Sequence, residues 1–220
     1  MKKYKIAMII ILLLSLITCG VSLMFLGDIV PSHIGVNGKP EQWSSKYFIL
    51  LFPGIMSLIT IIMLLLCKVA KLTENYKKYM LLTGTILNVM FYVLSVVFIV
   101  YGITYTEETP AFDISKIMMI LFGIIFIVLG NFMPKIEKNR TLGLKTYWSM
   151  YNEVTWQKTH RFTGFVSVIV GVLTLVAGFF FKEVVNFIIL MVLLFGLVIS
   201  CSIASYVYYK QEKKKESENQ

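Results

Sequence analysis

The chain is predicted to be an all-α, polytopic membrane protein with six transmembrane helices and both termini inside the cell (N-in/C-in). Three observations carry this. First, 57% of its 220 residues are hydrophobic and the mean hydropathy is +0.77, above the roughly half-apolar composition of soluble domains. Second, the apolar residues gather into six runs: Ile6–Leu26, Tyr47–Cys67, Tyr79–Ile103, Ile117–Met133, Gly164–Phe181 and Val184–Tyr208. None contains Asp, Glu, Lys, Arg or His, and each falls in the range of about 17–25 residues that spans a bilayer. Third, the charges are asymmetric. With the N-terminus inside, seventeen Lys and Arg fall in inside segments and four (Lys39, Lys46, Lys116, Lys182) in outside ones, while the acids divide six and six. Lys and Arg, not acids, set orientation, so the count decides the topology.

The elements follow in order. The first run resembles a secretion signal, with Leu16-Ile17-Thr18-Cys19 placed like a cleavage box. Thr18 is larger than the residue such a cut wants, and the run continues to Leu26, beyond a signal core of about 7–15 residues. A retained first helix is expected. The outside loop 27–46 carries Pro31, Gly35, Gly38 and Pro40. Asn37-Gly38 is a strong turn dipeptide, which predicts a hairpin with extended pieces around Ile34 and Val36. Pro53 falls early in the second helix. Loop 68–78 is a basic inside connector. Loop 104–116 is outside and acidic, and Asp113 or Ser115 is placed to cap the fourth helix.

The polar island 135–162 is the richest connection. It holds six Lys or Arg, two of the three Trp, one His and two acids, the groups from which specific recognition is built. Pro134 ends helix four, with Asn131 able to bond the freed carbonyls. Gly143 suits a bend before Leu144. Ser149 or Asn152 can cap a new helix with Glu153 in its first turn. Helix five is therefore predicted to start near Asn152 and to project into the cytoplasm before entering the bilayer. On it Trp156, Thr159 or His160, and Thr163 share a face. Trp148 and Trp156 with the flanking tyrosines suit either an interfacial aromatic belt or a docking surface. Gly123, Gly130, Gly164, Gly171, Gly178 and Gly196 are expected to allow close helix packing. Only Lys182-Glu183 links the last two runs, which predicts a tight antiparallel pair. The charged tail after Tyr209 is expected to be disordered.

Several chemistries are disfavoured. No ionisable group lies in an apolar run, which argues against an ion pathway. His33 and His160 fall on opposite sides of the membrane, without Cys or carboxylate neighbours at ligand spacing. Cys19, Cys67 and Cys201 lie in or at the ends of runs and have no framework spacing. No nucleophile has a positioned partner, so no enzyme activity and no cofactor are expected. The net charge of +9 is accounted for by topology and by contact with the anionic headgroups of membrane lipids. No direct nucleic-acid binding is expected.

Two stretches carry a family likeness. Gly130-Asn131-x-Met133-Pro134-Lys135, Asn139, Gly143-Leu144-Lys145-Thr146-x-Trp148-Ser149 and Asn152-Glu153-x-x-Trp156-x-Lys158-Thr159-His160-Arg161-Phe162 resemble the SdpI family, polytopic membrane proteins of Gram-positive bacteria and their relatives. That family commonly has Arg where this chain has Lys145, and Pro where it has Tyr147. Pro31-x-His33-x-Gly35, Asn37-Gly38-x-Pro40, Trp43 and Lys46, then Pro53, resemble the membrane domain of unknown function DUF1648. The resemblance implies a DUF1648-like two-helix unit at 1–67 with outside loop 27–46. A third helix with its loops follows at 68–116, an SdpI-like region at 117–209 with inside loop 135–162, and a charged cytoplasmic tail at 210–220. It implies immunity to a hydrophobic killing peptide, met at Pro31, His33, Asn37, Gly38, Trp43 and Lys46. It also implies signalling, in which the inside face captures a winged-helix autorepressor through Lys145, Trp148, Glu153, Trp156, Lys158, His160 and Arg161. Two other functions remain open: a transporter or exporter of a peptide or lipid, and a stress-related membrane protein without toxin recognition.

The charge count generates a topology test. A cysteine placed by Asn37→Cys is expected to react with a membrane-impermeant maleimide on intact cells. One placed by Asn139→Cys is expected to react only after lysis. The reverse pattern would overturn the orientation.

Overall fold

The computed structural model describes residues 1–68, 72–105 and 113–218. Six helices in it are long and apolar enough to cross a membrane. The helices expose their large apolar side chains and bury small polar ones, such as Ser15, Thr60 and Asn88. That inversion suits lipid, where burying hydrocarbon gains nothing over leaving it in acyl chains. The chain divides into two compact units, Met1–Ser115 and Lys116–Gln220.

In the first unit, α1 (Lys2–Ser22) leads to strands β1 (Ile29–Ile34) and β2 (Pro40–Ser45). A 3-10 turn at Lys46–Leu50 opens into α2 (Leu51–Leu66), and α3 (Glu74–Thr104) follows. Pro53 sits in the first turn of α2, where its missing N–H breaks no helical bond. Thr73 caps α3 by accepting from the Tyr76 amide at 3.2 Å, and Glu74 meets the positive end of the helix dipole. Asn88 of α3 donates to the Thr60 hydroxyl of α2 at 2.8 Å, with both residues buried. The Thr18 and Tyr92 hydroxyls join α1 to α3 at 3.3 Å. Such bonds contribute on the order of 0.6–2 kcal/mol each between membrane helices. Cys19, Leu26, Val30, Ile49, Phe52 and Ile99 form the core beneath the hairpin. Phe48, Phe52 and Phe98 close it with mutual ring contacts at 5.5–6.0 Å.

The second unit contains α4 (Ile114–Phe132, entered two residues before the boundary), α5 (Glu153–Phe180) and α6 (Glu183–Glu218). A glycine seam joins α4 to α5. A Cβ built on Gly130 would lie 2.7 Å from the Gly164 carbonyl oxygen, and one on Gly171 would lie 2.7 Å from that of Gly123. Gly178 meets the Met119 side chain in the same way. Gly123 and Gly130 are seven residues apart, as are Gly164, Gly171 and Gly178, so the two antiparallel rows stay in register as they cross. Gly196 differs from the expectation: nothing lies within 4 Å of its Cβ position.

Other expectations meet the structure unevenly. Asn131 donates to the Ile127 carbonyl at 2.9 Å, and Pro134 sits in the 3-10 turn Met133–Lys135 that ends α4. Asn152, not Ser149, caps α5. Ser115 donates to the Asp113 carboxylate at 2.6 Å at the start of α4. Most of the acidic loop 104–116 and part of the connector 68–78 lie outside the described residues. The tail expected to be disordered is helical, because α6 continues through the charged segment to Glu218. No Gly or Pro follows Gly196 to stop it, and its acids find partners in the island.

Gly171→Leu is expected to destabilise the protein by about 1–3 kcal/mol through overpacking, lowering its melting temperature in detergent. Gly196→Leu is expected to leave that temperature unchanged. Equal loss in both variants would show that the seam is not where the close packing matters.

Candidate functional site

The island is organised around Trp156 and His160. Both are fully buried, and their rings stack at 3.8 Å. The Trp156 indole N–H donates to the Ile136 carbonyl at 2.8 Å, which ties the loop after α4 to α5. His160 Nε2 accepts from the Leu144 amide at 3.2 Å. An amide can only donate, so Nε2 carries no proton; the ring is neutral, and Nδ1 donates to the Trp156 carbonyl at 2.9 Å. Gly143, with φ +97, lies directly against the imidazole. A side chain there would be strained and would displace His160.

The rest of the loop is closed by its own short polar side chains. Asn139 Oδ1 accepts from the Thr141 and Leu142 amides at 2.8 and 2.6 Å. Thr146 and Ser149 exchange bonds, each amide donating to the other's hydroxyl at 2.9 Å. Asn152 caps α5 by accepting from the Thr155 amide at 2.8 Å. These Asx and Ser/Thr turns satisfy backbone groups that no helix or strand pairs.

The helical tail completes the site. The Thr146 hydroxyl meets that of Ser205 at 2.6 Å. Trp148 packs edge-on against Tyr206 at 5.1 Å, and Tyr151 against Tyr209 at 4.9 Å. Lys158 pairs with Glu212 at 2.6 Å. Glu216 accepts from the Tyr151 hydroxyl and from Asn152, and that hydrogen bond pushes the Tyr151 phenol above its ordinary pKa. Ser205, Tyr209, Glu212 and Glu216 recur at helical spacing on one face. That spacing, together with an unbroken helical pattern, was the sequence signal for the tail's docking.

The outside hairpin is the second candidate. β1 and β2 pair antiparallel with Pro31 opposite Trp43. Gly38, at φ +74, makes the turn, and Asn37 Oδ1 accepts from the Lys39 amide at 3.0 Å. The Tyr101 hydroxyl donates to the Gly38 carbonyl at 2.8 Å, pinning the tip to α3. Trp43 meets Tyr105 edge-on at 5.7 Å. Lys46 and Asp28 pair at 3.1 Å across the hairpin base, and His33 and Glu41 at 3.4 Å on its exposed surface. Met24, Phe25, Ile29, Trp43 and Tyr47 remain exposed around it.

The predicted residues therefore divide by role. Lys145, Glu153 and Arg161 are exposed, while Trp148 and Lys158 are half-buried against α6. Trp156 and His160 are corrected from contact residues to interior supports, because a side chain with no exposed surface cannot touch a partner. On the hairpin His33, Asn37 and Trp43 are exposed, Gly38 and Lys46 are half-exposed, and Pro31 is buried. The buried face of α5 helped decide this: Thr155, Thr159 and Thr163 are buried beside the two rings. The lone pair of His160 is already used, so the ring offers no free base. Among the described residues no group of three or more His, Cys, Asp or Glu could hold a metal ion.

Trp156→Ala is expected to destabilise the protein by about 3–5 kcal/mol, the cost of emptying a large buried site. Glu212→Gln is expected to cost far less, because its partner Lys158 is 37% exposed and solvent screens the pair. Thermal unfolding in detergent checks both. Equal effects would contradict the assignment of Trp156 as the interior support and Glu212 as a peripheral contact.

Comparison with known proteins gives a consistent result. Residues 135–208 match the SdpI/YfhL protein family, and residues 10–57 match DUF1648. The chain is 29% identical over 211 residues to "Immunity protein SdpI" of Bacillus subtilis (strain 168), covering 95% of this chain and 97% of that protein. No solved structure matches the chain. With its six spans, it is a multi-pass protein of the cell membrane. Residues 135–208 are thus similar to the SdpI/YfhL family, and the stretch ahead of them at 10–57 is similar to DUF1648.

Proposed function

We propose that this protein is an integral membrane immunity protein that protects its cell against a hydrophobic killing peptide. The observation that carries this reading is the likeness to "Immunity protein SdpI", which runs the length of both chains. The outside hairpin supports it physically. It is held at its tip by Tyr101 and at its base by Lys46 and Asp28. A rigid, amphipathic rim with exposed Trp43, Phe25 and Ile29 suits a hydrophobic peptide arriving at the membrane surface, since preformed aromatic anchors lose little entropy on binding.

The same reading assigns signalling to the inside face. Lys145, Trp148, Glu153 and Arg161, with Lys158 at the edge, form the surface at which a winged-helix autorepressor is captured. Trp156 and His160 hold that surface in shape from below. The support is the concentration of aromatic and basic groups on one ordered loop, the composition favoured at partner anchors.

Survival tests the proposal. Expressed in a Gram-positive strain that lacks its own immunity protein, the chain is expected to protect against the sporulation-associated killing peptide that the SdpI-family resemblance implies, and Trp43→Ala is expected to reduce protection. A promoter reporter under a coexpressed autorepressor is expected to rise with the wild type and not with Arg161→Ala. Membrane insertion without protection would reject that peptide as the target. Protection with an unmoved reporter would reject the signalling half alone.

A further inference from the structure

The helical tail has two chemically distinct faces. Its acids Glu212 and Glu216 are engaged by Lys158, Tyr151 and Asn152 of the island. Its exposed lysines Lys210, Lys213 and Lys214 line a shallow, open groove between side chains of this one helix, together with Tyr206, Val207, Gln211 and Ser217. The intramolecular contacts of the acids thus leave a concentrated positive face on the other side. Among the described residues Lys210 and Lys213 have no carboxylate partner; Lys213 lies over the Tyr209 ring, and Lys214 meets only Glu218 at 3.6 Å.

We propose that this groove is a binding site for an anionic phospholipid of the inner leaflet, with the phosphate held by Lys210, Lys213 and Lys214 and the glycerol and upper acyl chain lying against Tyr206 and Val207. Depth favours lipid over a soluble acidic partner. The last apolar run ends at Tyr208, and a helix rises about 1.5 Å per residue. The three lysines therefore lie roughly 3–9 Å beyond the end of that run, spanning a headgroup layer of about 5–8 Å and its outer edge. The groove also changes character along its length, from apolar at Tyr206 and Val207 to basic at Lys210–Lys214, as a phospholipid does. Juxtamembrane lysine clusters attract anionic lipid through the same field. Here the island holds the cluster in one geometry, because Ser205, Tyr209, Glu212 and Glu216 fix the rotation of the helix.

The test uses the full-length protein in detergent with equimolar phosphatidylglycerol and phosphatidylcholine, and counts retained lipid by native mass spectrometry. Phosphatidylglycerol is expected to be retained about tenfold over phosphatidylcholine. The triple variant Lys210→Gln, Lys213→Gln, Lys214→Gln is expected to bring the two lipids to parity with its lipid-free melting temperature unchanged. The control Lys2→Gln, Lys3→Gln, Lys5→Gln is expected to keep the preference. Three results would overturn the site: no preference in the wild type, a preference that survives the tail variant, or an equal loss in the control, which would mean unspecific attraction. Displacement of the lipid by a Glu-rich peptide that binds the tail more tightly would also overturn it and assign the face to a protein.

Discussion

The close approach of α4 and α5 along the glycine seam sets the geometry of the second unit. Gly130 and Gly164 bring the two backbones within a separation that a side chain on either would prevent. The turn after α4 is then held against α5, with the Pro134 ring beside Gly164. From that position the Ile136 carbonyl reaches the Trp156 indole. Trp156 in turn supports His160, and His160 receives the Leu144 amide. A packing constraint between two spanning helices is thus transmitted to the shape of the polar loop that joins them. Each step is a contact with little tolerance: a backbone-to-backbone approach, a buried indole bond and a glycine pressed on an imidazole.

The island and the helical tail form one ordered body. The tail is rich in charge, and its ion pairs are partly exposed, so each is worth little alone. Its order comes from other sources. α6 is already helical when it leaves the membrane, so adding residues to it avoids the cost of nucleation. Ser205, Tyr206 and Tyr209 then dock it through a hydrogen bond and aromatic contacts. Glu212 and Glu216 settle its rotation. The exposed cytoplasmic surface of this unit is therefore made jointly by the loop and the tail.

The first unit reaches rigidity differently. Its hairpin is too short to be stable alone in water. It is stable here because β1 inserts Val30 into the core made by Cys19, Leu26, Ile49, Phe52 and Ile99, and because Tyr101 holds the turn. The turn chemistry was legible in Asn37-Gly38, a local preference of two residues. The anchoring by Tyr101 was not, since it joins residues 63 positions apart.

The same distinction holds throughout. The sequence alone determined the six spans, the hairpin turn, the end of α4 at Pro134 and the start of α5 near Asn152, and its charge placement set the expected orientation. All of these follow from run length, charge placement or the conformational preference of a few adjacent residues. It also carried the motifs that resemble the SdpI family and DUF1648. Only the tertiary structure decided that Trp156 and His160 face inward and that the charged tail is ordered. It also decided that five of the six glycines in α4, α5 and α6 are contacts while Gly196 is not. Periodicity places residues on a face but does not say what that face meets. Trp156 and Lys158 are two positions apart on one helix; the Ile136 carbonyl buries the first, and Glu212 of α6 engages the second. Those partners come from distant parts of the chain, so the fate of each side chain was set by packing.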